Sequence, residues 1–89
     1  MLKTKRTNKF ESDIKLLEKR HKDFAKLKTV LELLVTPTSL PPKYQDHPLR
    51  GNYVGYRECH LEPDWLLICR IQGEYLILTR TGRHNDLFR

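Results

Sequence analysis

Long apolar runs are missing from this 89-residue chain: the longest, Trp65 to Cys69, falls far short of the roughly 20 residues that a membrane-spanning helix needs. The basic start, Met1-Leu2-Lys3-Thr4-Lys5-Arg6, lacks the apolar segment of a secretory signal. The expected location is therefore the cytoplasm, with no membrane partner. Cysteine is scarce too. Cys59 and Cys69 lie on two runs that read as neighbouring strands joined around Glu62-Pro63, where opposed residues have numbers summing to about 126. Positions 59 and 69 miss that register, and a reducing compartment disfavours a disulfide, so both are expected as buried thiols. Also absent are internal repeats, low-complexity segments and close-spaced ligand pairs of the HxxxH or CxxC kind. That leaves zinc on three histidines and an aspartate as a minor alternative, with no metal or other cofactor expected. Lysine stops at Lys43, and every later cation is an arginine. Upstream lysines suit solvated helix faces, whereas arginine's planar fork suits phosphate or carboxylate. A formal charge of +6 calls for an anionic partner, RNA or an acidic protein, without choosing between them.

What is present suits one folded domain over residues 1–89: 38% hydrophobic with 31% charged is a globular balance, and the length leaves no room for a second core. Residues 2–6 are polar and lysine-rich, as fits a short edge strand. From Asn8 the pattern turns helical, with Phe10, Ile14, Leu17 and His21 on one stripe. Asp23 offers an N-cap for a second helix, in which Phe24, Leu27, Val30, Leu31 and Leu34 form an apolar face. The prolines in Thr36 to Pro42 end that helical hairpin. After a loop through Asp46 to Gly51, three strands fit at roughly 52–60, 65–71 and 74–81, turning at Glu62-Pro63-Asp64 and Gln72-Gly73. The expected fold class is α+β: an N-terminal strand, a helical hairpin, then an antiparallel three-stranded meander. The helices pack on one face of the sheet and leave the other for a ligand.

Three of the four histidines fall in the C-terminal half: His47 in Asp46-His47-Pro48, His60 at a strand end, and His84 after Arg83, with Asp64 just across the turn from His60. Histidine gives and takes protons near neutrality. Cleavage of RNA requires that. A base removes the 2′-hydroxyl proton, an acid protonates the departing 5′-oxygen, and cations stabilise the phosphorane. Two imidazoles, a carboxylate and arginines suffice without a metal. Taken singly, each histidine reads as a surface or turn residue; the constellation is what points to chemistry. Trp65 reads as a core anchor, His21 as structural, and Glu58 as either a partner of Arg57 or Arg70 or part of a site.

Asp46-His47-Pro48-Leu49-Arg50-Gly51, the run from Gly55-Tyr56-Arg57-Glu58-Cys59-His60 through Asp64-Trp65 to Ile68, and the ending Arg80-Thr81-Gly82-Arg83-His84-Asn85-Asp86-Leu87-Phe88 resemble YafQ-type toxins of the RelE/ParE superfamily. The helical hairpin with Lys19-Arg20-His21-Lys22-Asp23 resembles that family as well, so the likeness spans nearly the whole chain. It implies a RelE-like fold and a metal-independent, ribosome-dependent endoribonuclease. Such a toxin acts on messenger RNA in the ribosomal A site, beside 16S ribosomal RNA, and is held inactive by a cognate antitoxin. Catalytic roles carry over to His47, His60, Asp64 and His84, and substrate contacts to Arg80, Phe88 and Glu58, with Arg57 and Arg83 as further cations. The expected assignment makes His84 the acid, His47 the base aided by Asp64, and His60 a phosphate ligand. Arg83 departs from the family, which has a small hydroxyl residue there. Two other readings compete: a non-enzymatic gyrase inhibitor of the ParE kind, which has no need of these histidines, and a generic basic nucleic-acid-binding module.

Overall fold

The computed structural model describes residues 1–36 and 40–88. Pro37 to Ser39, part of the expected break after the hairpin, and the terminal Arg89 lie outside the described residues. Strand β1 (Lys3–Arg6) leads into helix α1 (Asn8–Lys19), whose N-cap Thr7 accepts the Phe10 N–H at 3.0 Å. Helix α2 (Phe24–Leu34) starts at Asp23, which caps the Ala25 N–H at 3.0 Å. Such caps satisfy donors that the first helical turn leaves free. A short strand β2 (His47–Pro48) precedes the meander β3 (Arg57–Glu62), β4 (Trp65–Gln72) and β5 (Tyr75–Gly82), and a four-residue helix α3 (His84–Leu87) closes the chain.

The sheet runs β1-β5-β4-β3-β2, with β1 parallel to β5 and the other neighbours antiparallel. On one face, Phe10 and Leu17 of α1 and Leu27 and Val30 of α2 pack against Cys59, Trp65, Leu67, Leu76 and Leu78. Trp65 is fully buried at the centre. Its indole N–H donates to the Thr81 hydroxyl at 2.9 Å, and that hydroxyl donates to the Leu66 carbonyl at 2.8 Å, so the one polar atom of the ring is satisfied inside the core. Glu62 ties the start of α2 to β3, accepting from Lys22 and Lys26, each at 2.9 Å.

Three expectations need correction. The strand expected at 52–60 begins only at Arg57. Gly51 and Gly55 take φ of +67° and +90°, which breaks the extended run, and Gly51–Tyr53 forms a 3-10 turn that leaves Val54 71% exposed. Pairing starts earlier on the other side, because His47–Pro48, read as loop, is an edge strand against Arg57 and Glu58. His21 is not on the buried stripe: α1 stops at its C-cap Arg20, and His21 sits exposed in the turn with φ +57°. The cysteines follow the expected register, Cys59 opposite Leu67 and Arg57 opposite Cys69, and both are free and buried. Burial raises both thiols, Cys69 to about 11, which keeps them protonated and unreactive.

Candidate functional site

Residues paired across neighbouring strands point to the same face, so the register lays out the helix-free face row by row. One row reads His47, Glu58, Ile68, Arg80 across β2, β3, β4 and β5; the next reads His60, Leu66, Gly82. Neighbouring strands lie about 4.8 Å apart, so the Glu58 and Arg80 backbones are separated by roughly 10 Å, as are those of His60 and Gly82. At Gly82 (φ +153°) the chain leaves the sheet and folds back over it. Leu87 of α3 buries against Leu66 and Ile68, and Phe88 packs edge-on to Tyr53 with ring centroids 5.7 Å apart. His84 thereby arrives on the face that carries His47 and His60.

The four expected catalytic side chains fall into two groups on either side of the Leu66–Ile68 strip. In the first, Glu58 is buried at 5% exposure; its Oε1 accepts from Nε2 of His60 at 3.1 Å, and Nε2 of His47 makes an ion-pair contact with the same oxygen at 3.2 Å. Burying a carboxylate costs several kcal/mol unless such partners satisfy it. Neither Arg57 nor Arg70 pairs with it. The second ring nitrogen of His47 faces the Pro48 carbonyl at 3.1 Å, so both of its nitrogens meet acceptors.

In the second group, Asp64 contacts neither His47 nor His60. One of its oxygens accepts the backbone N–H of His84 at 3.1 Å, capping α3, and the other accepts from Arg83 Nε at 3.2 Å. These bonds, the His84 amide first, hold the Asp64 carboxyl below its usual range. A depressed carboxylate gives its full stabilisation above its unfolded pKa and loses it only as pH falls through the lowered folded value. This anchor therefore stays intact where imidazoles titrate. The His84 ring lies 4.9 Å from Phe88, centroid to centroid. Arg20, the C-cap of α1, pairs with Asp86 at 3.0 Å and fixes the other end of the same short helix.

Arg80 is anchored from behind by Asp13 on α1, whose hydrogen bonds raise its already high pKa and keep it permanently charged. Arg57 stands apart: it lies on the face opposite Glu58 and pairs with Asp46, outside the candidate site. Arg83 is committed to Asp64. Two participants were missed or undervalued. The type and place of Glu58 suit a structural ion pair as well as a site, and no residue adjacent in sequence marks Asp13. The signal for Asp13 was there, since it falls with Phe10 and Leu17 along the inward stripe of α1, where a lone carboxylate requires a partner.

The family model described as "Bacterial toxin of type II toxin-antitoxin system, YafQ" matches residues 2–89. The chain belongs to the YafQ family. Among YafQ relatives, the mRNA interferase toxin YafQ of Escherichia coli K12 is 47% identical over 83 residues, covering 92% of this chain and 90% of that protein. The YafQ subunit of the E. coli DinJ–YafQ complex superposes with a TM-score of 0.91 at 42% identity, all of both chains being covered. A metal-bound toxin from Helicobacter pylori gives a TM-score of 0.93 at 43% identity, over 99% of this chain and 100% of that one. At this identity the YafQ fold is shared from β1 through α3. No helix among the described residues is long and apolar enough to cross a membrane.

Proposed function

We propose that this chain is an mRNA interferase that cuts by acid–base chemistry on the helix-free face of its sheet. The observation that carries the reading is the buried Glu58 carboxylate gripping two imidazoles. A carboxylate that accepts from Nε2–H of His60 fixes the tautomer and leaves Nδ1 with its lone pair, the orienting role that an aspartate plays behind a histidine base. His60, rather than His47, is then the general base. Asp64 serves as the anchor of the His84 segment, not as an aid to the base. His60 Nδ1 takes the 2′-hydroxyl proton as the 2′-oxygen bonds to phosphorus. The bond from phosphorus to the 5′-oxygen breaks, and His84, protonated, returns a proton to that oxygen. His47, whose ring nitrogens face Glu58 and the Pro48 carbonyl, and Arg80 stabilise the phosphorane, while Phe88 stacks on a neighbouring base, a contact worth about 1–3 kcal/mol in single-strand binders.

The products of that route are a 2′,3′-cyclic phosphate and a 5′-hydroxyl, formed without a metal. His47, Glu58 and His60 also place three ligand atoms within 4.8 Å of one another, a donor set that suits a first-row transition ion. Such an ion takes the Nε2 lone pairs and separates Glu58 from both rings, so here it acts as an inhibitor. End analysis of cleaved RNA in EDTA should give cyclic-phosphate termini at an undiminished rate, and added Zn²⁺ should suppress cutting until chelated. Termini bearing 3′-hydroxyls, or cleavage lost in EDTA, would overturn the mechanism.

The substrate is messenger RNA in the ribosomal A site. Exposed Lys9, Lys15, Lys19 and Lys28 on the helices suit contact with 16S ribosomal RNA. A cognate antitoxin with an acidic or amphipathic segment holds the toxin inactive, a partnership supported by the DinJ complex of the E. coli relative. Since a pure inhibitor of the ParE kind needs no paired imidazoles, the cluster favours nuclease over gyrase poison.

A further inference from the structure

Strand β1 ends opposite Leu78, while β5 runs on to Gly82, so the last residues of β5 present a backbone edge that no strand covers. The start of α1 fills the gap. The Thr7 N–H donates to the Leu78 carbonyl at 3.1 Å, the Thr7 hydroxyl donates to the Thr79 carbonyl at 2.8 Å, and Asp13 Oδ2 accepts the Thr81 N–H at 3.1 Å. Asp13 does more than close the edge. Its two oxygens also take Arg80 Nε (2.7 Å) and Nη2 (3.0 Å), in a pair whose side chains are only 13% and 19% exposed. A guanidinium has five N–H donors. This side-on grip uses two, the Tyr53 hydroxyl is a further partner of the same guanidinium, and the remaining donors are open to an incoming anion. Arg80 shares its row with Glu58 and His47, and Tyr53, which partners the same guanidinium, packs on Phe88 beside the His84 ring, so the fixed guanidinium sits next to the His84 segment.

We infer that Asp13 is a positioning residue for RNA cleavage: it orients Arg80 toward the scissile phosphate. The inference deepens the proposed function and rests on its assignment of Arg80. Asp13 touches no reacting atom itself. An unanchored arginine samples many rotamers and reaches the phosphorane in few of them, whereas one held by a bidentate pair enters the reaction already placed. Its carboxylate also reduces the positive charge that the site offers, so on charge alone removing it should tighten substrate binding.

The test is a double-mutant cycle on ribosomes programmed with a reporter mRNA, with Asp13→Asn and Asp13→Ala each made in the wild-type and Arg80→Ala backgrounds, and thermal unfolding measured on every protein. In the wild-type background Asp13→Asn should lower kcat by about 10–100-fold, the scale of a misplaced catalytic contact, with KM unchanged or lower. In the Arg80→Ala background the same change should have no further effect. Equal losses in both backgrounds, a rise in KM with kcat intact, or full activity in a folded Asp13→Asn protein would each overturn the inference. Wild-type activity in Arg80→Ala itself would remove the assignment of Arg80, which is a separate failure. Should Asp13→Ala lose its fold, the near-isosteric Asn variant still decides.

Discussion

Replacing His84 with alanine should lower the cleavage rate by about 10²–10⁴-fold, the range typical of a lost general acid. The fold should survive. Asp64 caps α3 through the backbone N–H of residue 84, which alanine retains, and Leu87 still buries against Leu66 and Ile68. The loss belongs to one chemical step, protonation of the 5′-oxygen. A substrate whose leaving group departs without a proton should therefore be cut by the variant almost as fast as by the wild type. If the activated substrate is cut no faster than an ordinary one, His84 is not the acid.

The second large effect is expected at Glu58. Glutamine preserves the shape and the Oε1 acceptor but carries no negative charge, so it cannot give both imidazoles the shared counter-charge that the carboxylate supplies. Glu58→Gln should lower kcat by about 10²–10⁴-fold, comparable to the loss when the orienting carboxylate of a catalytic triad becomes an amide. The pH–rate profile should change shape as well, because the two imidazoles no longer share a counter-charge. A variant that folds normally and keeps a rate within a few-fold of wild type, with an unchanged profile, would show Glu58 to be a structural ion partner only.

Much of the fold was legible in the sequence because local rules and burial agreed. The 3.6-residue stripes of Phe10, Ile14 and Leu17 and of Leu27 and Val30 are the faces that the helices bury, and Asp23 caps where expected. The turn at Glu62-Pro63-Asp64 sets the β3–β4 register, so Cys59 and Cys69 were correctly kept apart. What failed were places where two preferences compete. Tyr53, Val54 and Tyr56 have strand propensity, yet the glycines at 51 and 55 take positive φ and win. His21 keeps the helical spacing after the helix itself has ended.

The site was legible as residue types and less so as partnerships. Side-chain alternation put Glu58 and His60 on one face, but only β2, too short for a periodic signal, brings His47 beside them. Proximity in sequence suggested Asp64 for the imidazoles, while the reversal at Gly82 brings the His84 amide to it first. Asp13 lies 67 residues from Arg80 along the chain, and no local pattern links two positions so distant.

The decisive measurement maps messenger-RNA ends in a translating extract given the wild-type protein, with Glu58→Gln and His84→Ala in parallel. New ends should appear with the wild type alone, fall at one phase of the reading frame, and vanish when translation initiation is blocked. Ends that ignore the frame, or that persist with both variants, would contradict a ribosome-bound nuclease built on the helix-free face.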